Sequence, residues 1–335
     1  MKILKRCLGL FLALLVPFCG FPSSALADSK ILTMGQSLDS GASPAFTLPA
    51  ASVVWDGTTA TFTSGTGTKS DPYLISTGEQ LAYLATAVNG GKTYSGQYFK
   101  LTGNIVLNNT KNASSWDDTT DGLTAWTPIG NSNNSFKGTF DGGGYSVSGI
   151  YINSTKDYQG LFGCIGSGGT VKNVGITDSY ISSTASYVGG VAGLADGSTI
   201  ETCYNTGAVS GESTVGGIAG FTAERSIIET CYNTGTVSGE GDSVGGIVGW
   251  AYSSRLTSGS GSTIKTCYST GTVSGESTSV GGIVGCSYSS TIETCYSTGT
   301  VSGTNRVGGV VGEDSHGTFT SDYYCGYVGG IGKNG

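Results

Sequence analysis

The sequence predicts an all-β chain: a right-handed parallel β-helix, or solenoid, of about 27–29 residues per coil, headed by a short N-terminal capping helix. Three observations carry that expectation. First, the nonapeptide T-I-E-T-C-Y-N-T-G at Thr199–Gly207 returns in near-copies at Ile227–Gly235, Thr263–Gly271 and Thr291–Gly299. Second, each copy is followed by [AT]-V-S-G and then by V-G-G-[IV]-[AV]-G, as at Val215–Gly220, Val244–Gly249, Val280–Gly285 and Val307–Gly312. Third, the chain holds 58 Gly but only 6 Pro, and 12% charged residues, while Val and Ile recur at fixed places. That recurrence supplies apolar groups to bury and argues against disorder. The pieces are short extended runs, which suggests three strands per coil, with glycine corners. A β-propeller is the runner-up, but its blades need about 40 residues each.

In chain order, Met1–Ala27 reads as a secretory signal peptide. Lys2, Lys5 and Arg6 form the basic start, Leu8–Phe18 the apolar run, and Ala25-Leu26-Ala27 the cleavage site. A retained transmembrane helix and a lipoprotein modification at Cys19 are weaker readings of the same segment. No later stretch is apolar enough to span a membrane, so the chain is expected to be secreted or displayed at the cell surface. Residues 28–60 read as a polar leader with a short strand near Val53-Val54-Trp55. Residues 61–155 read as an N-terminal cap with the first coils. Within them, Ser76 as N-cap with Glu79 suggests a capping box. Leu81, Leu84, Ala85 and Val88 then fall on one helical face, and Asn89-Gly90-Gly91 ends the helix. Residues 156–335 read as repeats of the same solenoid. The last of them breaks off within a repeat, so further modules or subunits are expected at an uncapped C-terminal end.

Seven cysteines follow the signal segment: Cys164, Cys203, Cys231, Cys267, Cys286, Cys295 and Cys325. Four of them, Cys203, Cys231, Cys267 and Cys295, hold one slot of the repeat, stepping by 28, 36 and 28 residues. Val174 takes the same slot 29 residues before Cys203, which favours a buried apolar column over disulfides, although export permits disulfides. With the cysteines inward, the adjacent Tyr204, Tyr232, Tyr268 and Tyr296 face outward as an aromatic ladder. Stacking between coils explains them, and so does a strip that binds a glycan or a protein surface. Beside them run Glu201, Glu229, Lys265 and Glu293, where Lys265 relieves like-charge repulsion.

The G-G-I-V-G units resemble the GLUG motif family of bacterial secreted and surface proteins. Gly160-Leu161-Phe162-Gly163 looks like an early variant, and Trp126–Gly130 and Phe136–Gly142 resemble the region preceding such repeats. The resemblance implies a β-helical exoprotein of adhesin-like character. It also points to immunoglobulin A1 proteases, in which the motif lies beside a zinc protease domain. This chain has one histidine and no H-E-x-x-H, so that activity does not carry over.

Net charge is −7, and without the three cations of the signal segment the remainder carries −10. Such an acidic surface excludes nucleic acid as a natural partner. No cofactor is implied, and the only metal suggested is calcium at Asp117, Asp118 and Asp121, the densest carboxylate cluster. A solvated loop explains that cluster equally, as a turn explains Asp141 and a loop explains His316. Arg225, Arg255 and Arg306 fall at unrelated repeat positions, a weak basis for a lyase. The function expected is therefore non-enzymatic attachment or recognition, with no catalytic residue. A carbohydrate-active enzyme on a β-helix and a structural stalk are the alternatives.

Overall fold

The computed structural model describes residues 53–254, 261–276 and 279–325, and the backbone of 328–331. All of these belong to one compact unit, Ala51–Gly335. The signal segment 1–27, most of the 28–60 leader, Cys19, Arg255 and most of the loop after Tyr252 lie outside the described residues.

A repeat cannot bury its own apolar side chains; it must stack on its neighbours. Every strand of the repeats accordingly pairs in parallel with its counterparts in the flanking coils. Ile200 lies against Ile228, Tyr204 against Tyr232, Val209 against Val237 and Val215 against Val244. The result is a parallel β-helix. Its sheets hold nine, eight, seven, six and five strands, and each runs through the coils in chain order. The nine-stranded sheet extends from Tyr73–Ile75 to Thr318–Thr320, so the N-terminal coils and the repeats share one ladder.

A repeat coil has five faces, not the three expected. The T-I-E-T-C-Y run splits into Thr199–Glu201 and Tyr204–Asn205, because Thr202 turns the chain at φ 55°. The V-G-G-I-A-G run splits into Val215–Gly216 and Ala219–Ala223, with Ile218 fully buried at the bend. The corners also differ from expectation. Thr202, Thr230, Thr266 and Thr294 take the left-handed conformation at φ 54–55°, while among the described glycines beyond Gly197 none has a positive φ. Repeat glycines are present for space instead: a Cβ on Gly245 would sit 2.0 Å from the Val248 carbonyl oxygen. A β-branched residue in the left-handed region costs about 1–2 kcal/mol, which the surrounding ladder must offset.

The core is a set of files along the axis. Ile200, Ile228, Ile264 and Ile292 form one, and Val209, Val237, Val273 and Val301 another, all at or near zero exposure. Toward the N-terminus the filling becomes aromatic, with Phe99, Phe136, Phe140 and Phe162 buried in mutual contact. The variant Gly160–Gly163 copy lies in repeat register, Phe162 pairing with Ala192.

The helix spans Gly78–Asn89 and buries Leu81, Leu84, Ala85 and Val88 as its spacing predicts. Its cap is one residue later than the sequence suggests. Thr77, not Ser76, is the N-cap, accepting from the Gln80 amide at 3.4 Å, and Gln80 Oε1 accepts from the Ser76 amide at 2.8 Å. Gly78 lies against Trp55, where a Cβ would come within 2.5 Å of the indole side chain. The strand expected at 53–55 is a single parallel bridge, Val54 to Val106.

Candidate functional site

The cysteine slot points inward, as Val174 implied. Cys203, Cys231, Cys267 and Cys295 are all at zero exposure, and all are free thiols. Each thiol donates to the carbonyl two residues before it, from Cys203 to Glu201 at 3.3 Å through to Cys295 to Glu293 at 3.4 Å. The Cys231 sulfur also accepts from the Cys203 amide at 3.4 Å. The sulfur thus takes an amide that the left-handed threonine corner leaves without a backbone acceptor. Burial, followed by the neighbouring thiols, pushes Cys231 and Cys267 well above the ordinary thiol range. The column ends on Asp322, whose Oδ1 takes the Cys295 amide at 2.8 Å.

Placing cysteine inward places the next residue outward. Tyr204, Tyr232, Tyr268 and Tyr296 stack with centroids 4.9, 5.0 and 5.1 Å apart and planes within 3–6°. The centroid spacing is that of offset stacking at the coil repeat. The rings therefore spend much of their faces on one another and offer edges and hydroxyls to solvent. Tyr296, at the end of the stack, is 42% exposed. At the other end Tyr204 closes over Gly175, where a Cβ would lie 2.1 Å from the ring. Burial, then the adjacent rings, raises the phenol pKa values of Tyr232 and Tyr268.

A groove of about 540 Å³ runs beside the first two rungs. Tyr204 and Tyr232 form one wall, and the corner residues Asn173, Thr202 and Thr230 line it with polar groups. Lys100, Asp141 and the Gly143-Gly144 turn complete the lining. Asp141 Oδ1 accepts from the Gly143 amide and from Asn173 Nδ2, both at 2.9 Å, and Lys172 lies 3.8 Å from Oδ2. Burial alone would raise this carboxyl. The two hydrogen bonds and the charges of Lys172 and Lys100 outweigh it and hold the pKa below the usual range. Asp141, read from sequence as a turn-former, does form that turn and also anchors the groove.

The charged file beside the ladder reads Lys100, Asp141, Lys172, Glu201, Glu229, Lys265, Glu293 in register. Lys265 pairs with Glu229 at 2.9 Å, the relief of repulsion that the sequence suggested.

The carboxylates suggested for calcium are not brought together. Asp117 Oδ1 is occupied by Thr119 and Thr120, whose hydrogen bonds lower its pKa, and Asp118 Oδ1 accepts from the Tyr180 hydroxyl at 3.1 Å. Among the described residues no group of three or more His, Cys, Asp or Glu side chains is placed to hold a metal ion. The insertion carrying them packs on the solenoid through Tyr151, whose hydroxyl donates to the Asp117 carbonyl at 3.1 Å. His316 lies at a left-handed turn with Nδ1 2.9 Å from Ser315 Oγ, while Asp314 accepts from the Gly317 amide rather than from the imidazole.

A second aromatic surface was not foreseen. Tyr158 stacks on Tyr187 at 5.0 Å, Tyr187 meets Phe221 at 5.5 Å, Phe221 meets Trp250 at 5.4 Å, and Tyr252 stacks on Tyr288 at 5.5 Å. These rings come from different files, so no single repeat slot reveals them. The available signal was the residue after the last glycine of each G-G-x-x-G unit, which reads Phe221, Trp250, Cys286.

The model of the GLUG motif matches residues 184–210 and 276–302. Two stretches of the chain thus carry the GLUG motif. Among its relatives, a provisionally named Gly-rich membrane protein of Evansella cellulosilytica is 37% identical over 121 residues, 36% of this chain and 12% of that one. Halomucin of Haloquadratum walsbyi is 35% identical over 173 residues, 50% of this chain and 2% of its own length. The chain thus spans a small part of the length of these relatives. The crystal structure of a provisionally named immunoglobulin A1 protease from Bacteroides ovatus superposes with a TM-score of 0.59 at 24% identity, covering 81% of this chain and 87% of that one. That likeness establishes the β-helical fold alone. No helix of the described residues is long and apolar enough to cross a membrane.

Proposed function

We propose that this GLUG-repeat chain is a non-enzymatic recognition module of a cell-surface or secreted protein, binding a glycan or a protein surface along its tyrosine ladder. The observation that carries the reading is the groove itself. Aromatic edges and hydroxyls of Tyr204 and Tyr232 stand over polar corner residues, with Lys100 and the anchored Asp141 at one end. An aromatic wall facing a few fixed polar groups is the usual composition of a ligand site. Side chains locked by stacking also lose little conformational entropy on binding. The partial matches to a membrane protein and to a halomucin accord with surface display. Export through cleavage after Ala27 belongs to the same proposal, and N-terminal sequencing of the exported protein would then begin at Asp28.

The test is binding of the full chain to immobilised mucin and a panel of polysaccharides, with reducing-end and unsaturated-sugar release measured in parallel. Binding that is lost in Tyr232→Ala plus Tyr268→Ala, without sugar release, is the expected result. Binding that survives the double substitution removes the ladder from the site. Sugar release that disappears on substituting Asp117 and Asp118 replaces recognition with catalysis.

A further inference from the structure

We propose that the ligand of this groove is an extended glycan carrying carboxylate groups, laid along the solenoid axis with an acidic sugar at Lys100. This rests on the recognition reading and narrows it to a ligand class. The charges of the groove are not equivalent. Asp141 is the one carboxylate in the lining; its Oδ1 accepts from the Gly143 amide and Asn173, and its Oδ2 pairs with Lys172 at 3.8 Å. Lys100 is exposed and stands in register with Asp141, and among the described residues no carboxylate lies within ion-pair distance of its ammonium. Lys172 takes up the charge of Asp141 from outside the lining, which leaves Lys100 as the cation that faces the groove, although the chain as a whole carries −7. An anionic group meets Lys100 as a point charge with three donors.

The remaining lining suits a sugar chain rather than an isolated anion. Thr202 and Thr230 are exposed, and with Tyr204 and Tyr232 they repeat their hydroxyls once per coil, a spacing of about 4.8 Å. An extended β-linked glycan advances per sugar by a length close to the coil rise, with alternate sugars flipped, so its sugars keep step with the coils and every second one meets an equivalent partner. On the neighbouring file, Glu229 is neutralised by Lys265 at 2.9 Å. Glu201 is exposed and lies outside the groove lining, one coil beyond Lys172. Its charge opposes an anionic ligand, which gives the proposal a test of sign.

The probes are oligomannuronate and its methyl ester, which share a backbone and differ in charge. Affinities for the full chain are read by titration calorimetry at low and high salt. The acid form is expected to bind roughly three- to tenfold more tightly at low salt, with the preference shrinking as salt screens it. Lys100→Gln should abolish the preference by bringing the affinity for the acid form down to that for the ester, and Glu201→Gln should widen it. Equal affinity for acid and ester, or a preference that survives Lys100→Gln, overturns the ligand assignment and leaves the recognition module standing. Failure of both probes while mucin is still bound also overturns the assignment. Failure to bind any glycan or mucin overturns the recognition reading itself.

Discussion

Cys231→Ala tests the physical account of the column most directly. The side chain is fully buried, its sulfur accepts the Cys203 amide at 3.4 Å, and its thiol donates to the Glu229 carbonyl at 3.3 Å. Truncation removes one buried heavy atom, about 1 kcal/mol of transfer free energy with its cavity. It also leaves the Cys203 amide without that acceptor, a further cost of about 1–2 kcal/mol. The sum is a loss of about 2–3 kcal/mol, read as a fall in the urea midpoint followed by circular dichroism. Two companions separate the contributions. Cys231→Val keeps apolar volume but loses the acceptor; Cys231→Ser keeps both hydrogen-bonding roles but buries a hydroxyl. If the sulfur matters as a corner acceptor, valine costs about 1 kcal/mol even though Val174 holds the equivalent slot one coil before Cys203. Thiol titration completes the test. In the native protein Cys325 should react at once and half-buried Cys286 slowly, because burial and then Glu313 push Cys286 to about 12. Cys231 and Cys267 should stay silent until urea is added. Native reactivity of the column, or a Cys231→Ala loss below about 1 kcal/mol, refutes the reasoning.

Other perturbations follow from the same geometry. Gly217→Ala places a Cβ 2.4 Å from the Gly246 carbonyl oxygen and from Asn233, backbone and packed side chain that cannot withdraw; a loss of about 3 kcal/mol or failure to fold is expected in urea melts. Ser269→Asn extends an internal amide ladder in which Asn205 Nδ2 donates to Asn233 Oδ1 at 2.9 Å and Asn233 Nδ2 to the Gly235 carbonyl at 2.8 Å, whereas Ser269 Oγ has no partner. A gain of about 0.5–1.5 kcal/mol in the same assay is expected. For pH, the folded pKa of Asp141 is depressed, so its contribution is present above the unfolded value and lost as pH falls through the folded one. Asp322 has the opposite sign: burial raises its pKa, so it destabilises as pH rises through the folded value. Asp322→Asn, which keeps an acceptor for the Cys295 amide, should therefore raise the melting temperature at neutral pH and have less effect at low pH.

What could be read from the chain and what could not divide along a physical line. Translation along the axis is written in the sequence, because each coil must repeat the side chains that stack. Cys203, Tyr204 and Ile200 therefore announced their files, their facing and their partners before any coordinate. Rotation within a coil is not written in the same way. Whether T-I-E-T-C-Y is one strand or two depends on Thr202 at φ 55°, a conformation that threonine disfavours intrinsically and that only the assembled corner imposes. The thiol and the corner explain each other: the bend leaves the Cys203 amide without a backbone acceptor, and the Cys231 sulfur takes it, while the Cys231 thiol adds a second donor to the Glu229 carbonyl, which also accepts from the Thr202 amide at 2.9 Å. Serine could do so at a cost in apolar burial, and valine could fill the space without the bonds. Cysteine does both.

The groove shows the same division from the functional side. Its aromatic wall repeats and was legible as a ladder; its polar end does not repeat, and follows from the register that sets Lys100 against Asp141 and from the Asn173 amide that donates to Asp141. Binding specificity in a solenoid must lie in such departures from the repeat, since a perfectly periodic face offers every coil the same contact. Gly175 is the departure that ends the ladder. Tyr204 closes over it, where even a Cβ would lie 2.1 Å from the ring, so the stack stops short of the Lys100–Asp141 end. The one missing ring is what turns a self-stacked ridge into a surface with an end, and so gives a ligand a place to start.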